Sequence, residues 1–390
     1  MKPRTRVNHP PQTPLPAGNR ALVAPIYQSV KFELDDLQQT EQVWSGGADG
    51  YHYSRVANPT VADLELLLAE LQGRDACVAV ASGLAAVAVT LIALLSQGDH
   101  VLGFVETYAP TRRLLARTLA RFGVGHTLLS IEDRAGIEQA LAARPVKLVW
   151  FESPTNPVLK VADIEHLAAC ARHHGALTVL DNTLAGLAAH GTFGVDLFVH
   201  SLTKYASGHG DVMAGAVIGS TELVQKVRLQ ATALGPTLDP HAAFLVQRGL
   251  KTYHLRRAAQ CDSAARIAAF LAADRRVVRL RYPGLAQDPG HALARTQMPD
   301  FGSIISVDLA GAAEQSRIFA DSLELFAIAA SLGSTESLIV PPQLQQPREL
   351  TPEQRVWSGI GPTTARLSIG IEDPDDLQAD LSAALDAAFR

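Results

Sequence analysis

Between residues 77 and 218 the chain alternates short apolar runs with longer helical patterns. The runs are Cys77–Ala81, Val101–Phe104, Lys147–Phe151, Leu177–Leu180, Leu197–His200 and Val212–Ile218. Helical patterns lie between the first five, at 84–95, 110–122, 134–142 and 163–174. Short continuous apolar runs read as strands buried on both faces, and parallel neighbours need a crossover, usually a helix. The alternation therefore predicts an α/β fold with a mainly parallel sheet. Just upstream, Thr60 with Asp63 resembles a capping box, and Gly73 is a good stop for the helix between them.

After about residue 220 the pattern changes. Amphipathic helices are predicted near 220–234, 240–250 and 253–273, followed by strand-like runs at Val277–Arg281, Ile304–Leu309 and Ala365–Ile369. A helix closes the chain after Asp373-Pro374. This predicts a second, smaller α+β domain, interrupted by a surface loop at Pro341–Pro347. Residues 1–20, with Pro10, Pro11, Pro14 and Pro16, read as an irregular arm, either disordered or lying across a neighbouring surface. The glycines of Trp44–Gly50 predict a loop.

Composition excludes several classes. The 390 residues contain 34 Lys and Arg against 39 Asp and Glu, a net charge of −5, so no basic field for nucleic acid exists. Hydrophobic residues make up 47% and charged residues 19%, enough for large cores and a low charge that hints at surface buried between subunits. Cys77, Cys170 and Cys261, about ninety residues apart, form no disulfide framework or Cys-x-x-Cys pair. A reducing, cytoplasmic setting is expected. No His-Glu-x-x-His occurs and no metal site is expected. The start is too proline-rich for a signal peptide, and the longest apolar run, Leu84–Leu95, is too short to cross a membrane. There is no P-loop, and Gly123-Val-Gly125 follows a helix and lacks the third glycine of a dinucleotide fingerprint. Ser82-Gly83 lacks the nucleophile-elbow frame.

Four pieces carry chemistry. Lys204 follows a predicted strand, between Ser201, Thr203 and Tyr205. Such a lysine is either an imine-forming amine or an ordinary surface residue, and this segment alone leaves both open. Asp181 ends a strand about twenty residues earlier. A lysine and a carboxylate so placed fit pyridoxal phosphate, which needs an amine for its aldehyde and an acid to keep its ring nitrogen protonated. Alone, Asp181 would more commonly be a turn former. Ser82-Gly83-Leu84 at a strand–helix junction offers backbone N–H groups and a helix dipole to an anion. Tyr108, past another strand, either stacks on a ring or packs in a loop.

The combination resembles the cysteine/methionine-metabolism family of pyridoxal-phosphate enzymes. The resemblance covers nearly the whole chain through Tyr51–Arg55, Asn58–Thr60, Ser82-Gly83, Glu152–Pro157, Asp181–Thr183, Ser201–Tyr205, Arg248–Thr252, Tyr282–Leu285, Ser331–Leu338 and Arg366–Asp373. It implies fold type I: an arm over 1–58, a coenzyme domain with a mixed seven-stranded sheet over 59–245, and a C-terminal domain over 246–390. It also implies a homotetramer of two tight dimers with shared sites. Lys204 would bind the coenzyme aldehyde and Asp181 its ring nitrogen. Ser82, Gly83, Leu84, Ser201 and Thr203 would hold the phosphate, and Tyr108 would stack on the ring. Tyr53 and Arg55 would reach the neighbouring subunit's phosphate. Arg366 would clamp the substrate carboxylate with Asn156 and Ser331.

Within the family, synthases and γ-lyases usually carry Glu before the serine where this chain has Ala330, and bacterial β-lyases often have Tyr and Trp flanking it. Methionine γ-lyases usually have Cys where this chain has Pro110. Tyr108-Ala-Pro110-Thr111, Gly208–Met213 and Glu336–Ile339 resemble bacterial cystathionine β-lyases, so that activity is expected, yielding homocysteine, pyruvate and ammonia. Cystathionine γ-synthase or γ-lyase is the alternative. A non-catalytic regulator on this fold is disfavoured by Lys204, Asp181, Tyr108 and Arg366 together.

Overall fold

The computed structural model describes residues 2–6 and 15–390. Pro10, Pro11 and Pro14 lie outside the described residues. Helices are α1 (Pro3–Arg6), α2 (Leu37–Trp44), α3 (Pro59–Gln72), α4 (Gly83–Leu94), α5 (Ala109–Arg113), α6 (Arg134–Ala143), α7 (Ile164–His173), α8 (Thr221–Leu234), α9 (Pro240–Leu250), α10 (Tyr253–Ala272), α11 (His291–Gln297), α12 (Ala313–Asp321), α13 (Pro352–Ser358) and α14 (Pro374–Ala388). Strands β1 (Ala76–Val80), β2 (His100–Phe104), β3 (Gly125–Leu129), β4 (Leu148–Glu152), β5 (Leu177–Asp181), β6 (Leu197–Ser201) and β7 (Gly215–Gly219) form one sheet. Strands β8 (Val277–Arg281), β9 (Ile304–Leu309), β10 (Ala327–Ile328), β11 (Leu338–Val340) and β12 (Thr364–Ser368) form another.

The first sheet has the order β1-β7-β6-β5-β4-β2-β3. It is mixed: β7 runs antiparallel to both β1 and β6, and the remaining pairs are parallel. The six expected runs all form strands. The seventh, β3, is missing from the sequence reading because it is an edge strand, only half-buried along its length, and carries no wholly apolar run. No helix separates β6 from β7, so the chain returns antiparallel instead of crossing over.

The strands are buried on both faces because alternate residues feed two cores. In β4, Phe151 joins Leu64, Phe104 and Phe198 on one side. Its neighbour Trp150 joins Val78, Val179 and Val217 on the other. Burying each such aliphatic or phenyl group contributes roughly 1.5–3 kcal/mol. The second sheet, β10-β11-β12-β9-β8, is mostly antiparallel. Ile305, Val307 and Leu367 from it meet Ile267 and Leu271 of α10, Phe319 of α12, and Leu377 and Leu381 of α14.

Local signals explain the boundaries and several departures. Helix α3 is capped by Asn58, not by Thr60: the Asn58 side chain accepts the Thr60 N–H at 3.0 Å, and Pro59 occupies the first turn. The Thr60 hydroxyl accepts the Tyr27 N–H instead. Gly73, at φ 67°, ends the helix in the left-handed conformation that favours glycine. The expected helix at 110–122 is α5 followed by a π turn at Leu114–Thr118 and a 3₁₀ turn at Leu119–Phe122. One helical turn, α1, stands in the stretch read as irregular, and α2 runs into the glycine loop. No helix among the described residues is long and apolar enough to cross a membrane.

The Asn58→Ala variant should lose the cap and, with it, the Nδ2 hydrogen bonds to Tyr27 O and Ser54 Oγ. A cost of about 1–2 kcal/mol is expected, read as a lower urea midpoint. An unchanged midpoint would contradict this role for Asn58.

Candidate active site

The carboxyl ends of β2, β4, β5 and β6 open onto one crevice, which is where a sheet of this type places ligands. A cavity of about 550 Å³ occupies it, closed from the other side by residues 330–332, Val340, residues 344–347, Glu349, Ile360 and Arg366 of the second sheet's loops and strands. The stretch Pro341–Pro347, expected as a surface loop, supplies Leu344, Gln345, Gln346 and Pro347 to this wall.

Lys204 follows β6 and is mostly buried. Its Nζ donates to Ser331 Oγ at 2.6 Å. Burial and then the Arg366 charge lower its pKa to about 8, against an opposing pull from Asp181. Ser331 sits at φ 91°, a strained conformation for a non-glycine residue, and its backbone carbonyl accepts from Arg366. Arg366, in β12, also donates to Asn156 Oδ1 at 2.9 Å. Its Nε is buried without a partner among the described residues, and burial pulls its pKa down to about 10. An unpaired buried guanidinium donor is costly unless a ligand anion completes it.

Asp181 ends β5. Both its hydrogen bonds, from the Thr183 N–H and hydroxyl, go to Oδ1, leaving Oδ2 for a cationic N–H. Burial raises the carboxyl's pKa, offset by the Thr183 bonds and Lys204. Glu152, at the end of β4, is raised well above its usual range by burial and then by Asp181. Its Oε1 accepts the Tyr108 N–H at 2.5 Å. The Tyr108 side chain, half-exposed, lines the cavity.

Ser82 caps α4, accepting the Ala85 N–H at 3.1 Å. A Cβ on Gly83 would lie 2.7 Å from Ser201 Cβ, so only glycine lets the amino end of α4 meet Ser201 this closely. Gly83, Leu84 and Ser201 thus bring backbone N–H groups and a hydroxyl to one corner of the cavity. Thr203 also lines it, but its hydroxyl is engaged with both the Ala214 N–H and carbonyl. Tyr53 and Arg55 lie outside this cavity: Arg55 stacks on Tyr53 and donates to Thr232 O. An amine of lowered pKa, a buried carboxylate with one free oxygen and an anion cradle fit pyridoxal phosphate.

The sequence reading missed Thr183, Arg112, Arg113 and Glu349. Thr183 lies inside a motif noted for Asp181. Arg112 and Arg113 lie a turn beyond Tyr108, where they read as ordinary helix charges. Glu349 pairs with Arg112 across 237 positions, a contact that no local pattern announces.

The family model of the Cys/Met metabolism PLP-dependent enzymes matches residues 5–386. The L-methionine γ-lyase of Pseudomonas putida is 41% identical over 388 residues, covering 98% of this chain and 97% of that one. The cystathionine β-lyase of Lactococcus lactis subsp. cremoris is 37% identical, with 94% of each chain covered. The cystathionine γ-synthase of Xanthomonas oryzae pv. oryzae, solved in complex with cystathionine, superposes with a TM-score of 0.89 at 38% identity, covering 95% and 94%.

Because Lys204 is lowered to about 8, its neutral fraction should rise through pH 8, where an exposed lysine needs about 10.4. In protein freed of coenzyme, acylation of Lys204 followed by peptide mass spectrometry should reach half its plateau near pH 8. A midpoint above 10 would contradict the burial argument.

Proposed function

The chain belongs to the Cys/Met metabolism family of PLP-dependent enzymes, and from that premise we propose that it is a carbon–sulfur β-lyase acting on cystathionine-like thioethers. Family members acting on sulfur amino acids share this architecture while differing in the bond they break or make, and 36–41% identity spans those differences. The wall around the reacting centre is therefore the guide.

The observation that carries the reading is what that wall offers. Besides the carboxylates of Glu152, Asp181 and Glu349, its described titratable groups that could move a proton are one lysine, Lys204, and one tyrosine, Tyr108; there is no histidine or cysteine, and Ala330 brings no carboxylate beside Ser331. β-Elimination needs one proton taken from Cα and one supplied to the leaving thiolate. γ-Elimination needs a further carbon deprotonation at Cβ, which the same lysine would have to perform, so β-elimination asks less of this wall. Lys204, with its pKa lowered to about 8, is suited to remove the Cα proton at neutral pH. Tyr108, which lines the cavity, would hold the ring and give a proton to sulfur. Arg366 would orient the substrate through its carboxylate, with Asn156 and Ser331 fixing the guanidinium. Arg113 lines the cavity and forms no salt bridge among the described residues, so it can meet the distal carboxylate of cystathionine.

Asp181 would pair with the coenzyme's ring nitrogen; Ser82, Gly83, Leu84 and Ser201 would hold its phosphate, and Thr203 would join them only by turning its hydroxyl away from the Ala214 carbonyl. When bound, the coenzyme supplies an electron sink that makes the substrate's Cα–H acidic. A second reading, γ-elimination from S-alkyl substrates, is favoured by the apolar lining of Met213, Leu344 and Ile360.

The assembly we propose is a homotetramer with shared sites. Exposed Leu22, Val23, Tyr27, Val30 and Trp44 on the arm support it, as does the place of Tyr53 and Arg55 outside their own chain's cavity. Three free cysteines support a cytoplasmic setting.

Incubation with cystathionine should release pyruvate; 2-oxobutyrate would overturn the β-lyase reading in favour of γ-elimination. Lys204→Ala should lower turnover at least about a thousandfold with circular dichroism unchanged. Mixing unfolded Lys204→Ala and Arg55→Ala chains and refolding them together should recover activity absent from either alone. No recovery would contradict sites shared between subunits.

A further inference from the structure

Behind the Asp181–Ser201 wall, on the side away from the cavity, lies a buried polar cluster that the chemistry above does not use: Gln72, Asn182, His190 and His200, all under 5% exposed. Asn182 directly follows Asp181, and His200 directly precedes Ser201. Consecutive residues of extended chain point to opposite faces, so each cavity residue has its cluster neighbour on the reverse side.

The hydrogen bonds form one consistent chain. His200 Nε2 and Gln72 Oε1 are 2.7 Å apart. Gln72 Nε2 donates to Ala189 O at 2.7 Å. Asn182 Nδ2 donates to Ala189 O and Gly186 O, at 2.9 and 3.1 Å. Asn182 Oδ1 and His190 Nδ1 are 2.7 Å apart. Since both glutamine and asparagine oxygens act as acceptors, His200 carries its proton on Nε2 and His190 on Nδ1. Both rings are neutral, with burial holding their pKa values at about 3 and about 4. His190 Nε2 has no partner among the described residues. On the cavity side Thr183 makes the matching brace, donating to Asp181 and accepting the Ser201 N–H at 2.9 Å.

We propose that Gln72 and His200, with Asn182, are positioning residues for coenzyme binding: they tie the end of α3 to the ends of β5 and β6 and so set the spacing between Asp181 and Ser201. The Asp181 carboxylate serves the ring nitrogen and Ser201 the phosphate, so a rigid coenzyme is gripped only when that spacing is held. This rests on the assignment of Asp181 and Ser201 made above. No substitution in the cluster touches the cavity, and the cluster's effect on the coenzyme passes through those two residues.

The test is coenzyme titration of apoenzyme, followed by fluorescence quenching and by the visible band of the bound coenzyme, on wild type, His200→Phe, His200→Gln, Gln72→Met and Asp181→Ala. His200→Phe and Gln72→Met should weaken binding at least tenfold and shift the visible band's maximum or its pH midpoint. His200→Gln, which can still donate to Gln72, should recover most of both. Circular dichroism separates unfolding from loss of grip, and if His200→Phe does not fold, Gln72→Met decides. Wild-type affinity and an unchanged band in folded Gln72→Met would overturn the proposal, as would His200→Gln binding no better than a folded His200→Phe. Unweakened binding in Asp181→Ala would instead overturn the assignment of the wall itself.

Discussion

Two cationic side chains buried in one crevice set the terms for this structure. Lys204 and Arg366 both lie away from bulk water, and each is destabilised by burial. Removing charge from water costs several kcal/mol per ion unless partners replace the solvent. The fold supplies those partners from widely separated segments. Ser331 takes a hydrogen bond from each, Asn156 takes one from Arg366, and Asp181 opposes the loss of charge on Lys204. The arrangement leaves an amine near neutrality, a guanidinium nitrogen unbonded and a carboxylate oxygen free. That unmet demand is what a zwitterionic substrate and a pyridine coenzyme would satisfy.

The sheet makes this possible. Parallel strands β2, β4, β5 and β6 deliver their carboxyl ends to the same edge, so residues scattered over a hundred positions converge without any local motif. The second sheet closes the crevice with the strained turn at Ser331 and the stretch 340–349. Ion pairing then ties the two parts. Arg112, buried one turn beyond Tyr108 in the sequence, reaches Glu349, and Lys160 bridges buried Glu106 and the carbonyl of Trp357. Pairs that bury one partner contribute chiefly by fixing geometry, since desolvation cancels much of their attraction.

How much of this was legible in the sequence follows from the range of each signal. Fully buried strands announce themselves by uninterrupted apolar runs, so six of the seven in the main sheet could be read directly. Lys204 and Asp181 were legible because both follow such runs. β3 was hidden by its half-exposed edge position. Asn58 replaced Thr60 as the cap because Pro59 fits the first helical turn, which moves the boundary back. The cavity role of Gln345 and Glu349 was invisible, since a proline- and glutamine-rich stretch reads as solvent-facing until its tertiary neighbours are known. Gln72 and His200 are 128 positions apart, and nothing local marks either as part of a shared network. The resemblance to a known family supplied roles that spacing alone left open.

Everything in the proposed chemistry depends on Lys204 being the residue that takes the coenzyme. Reduction of the purified holoenzyme with borohydride, followed by proteolysis and peptide mass spectrometry, tests it directly. A single pyridoxyl adduct on Lys204 is expected. An adduct on Lys147, Lys160, Lys226 or Lys251, or none on any lysine, would contradict it.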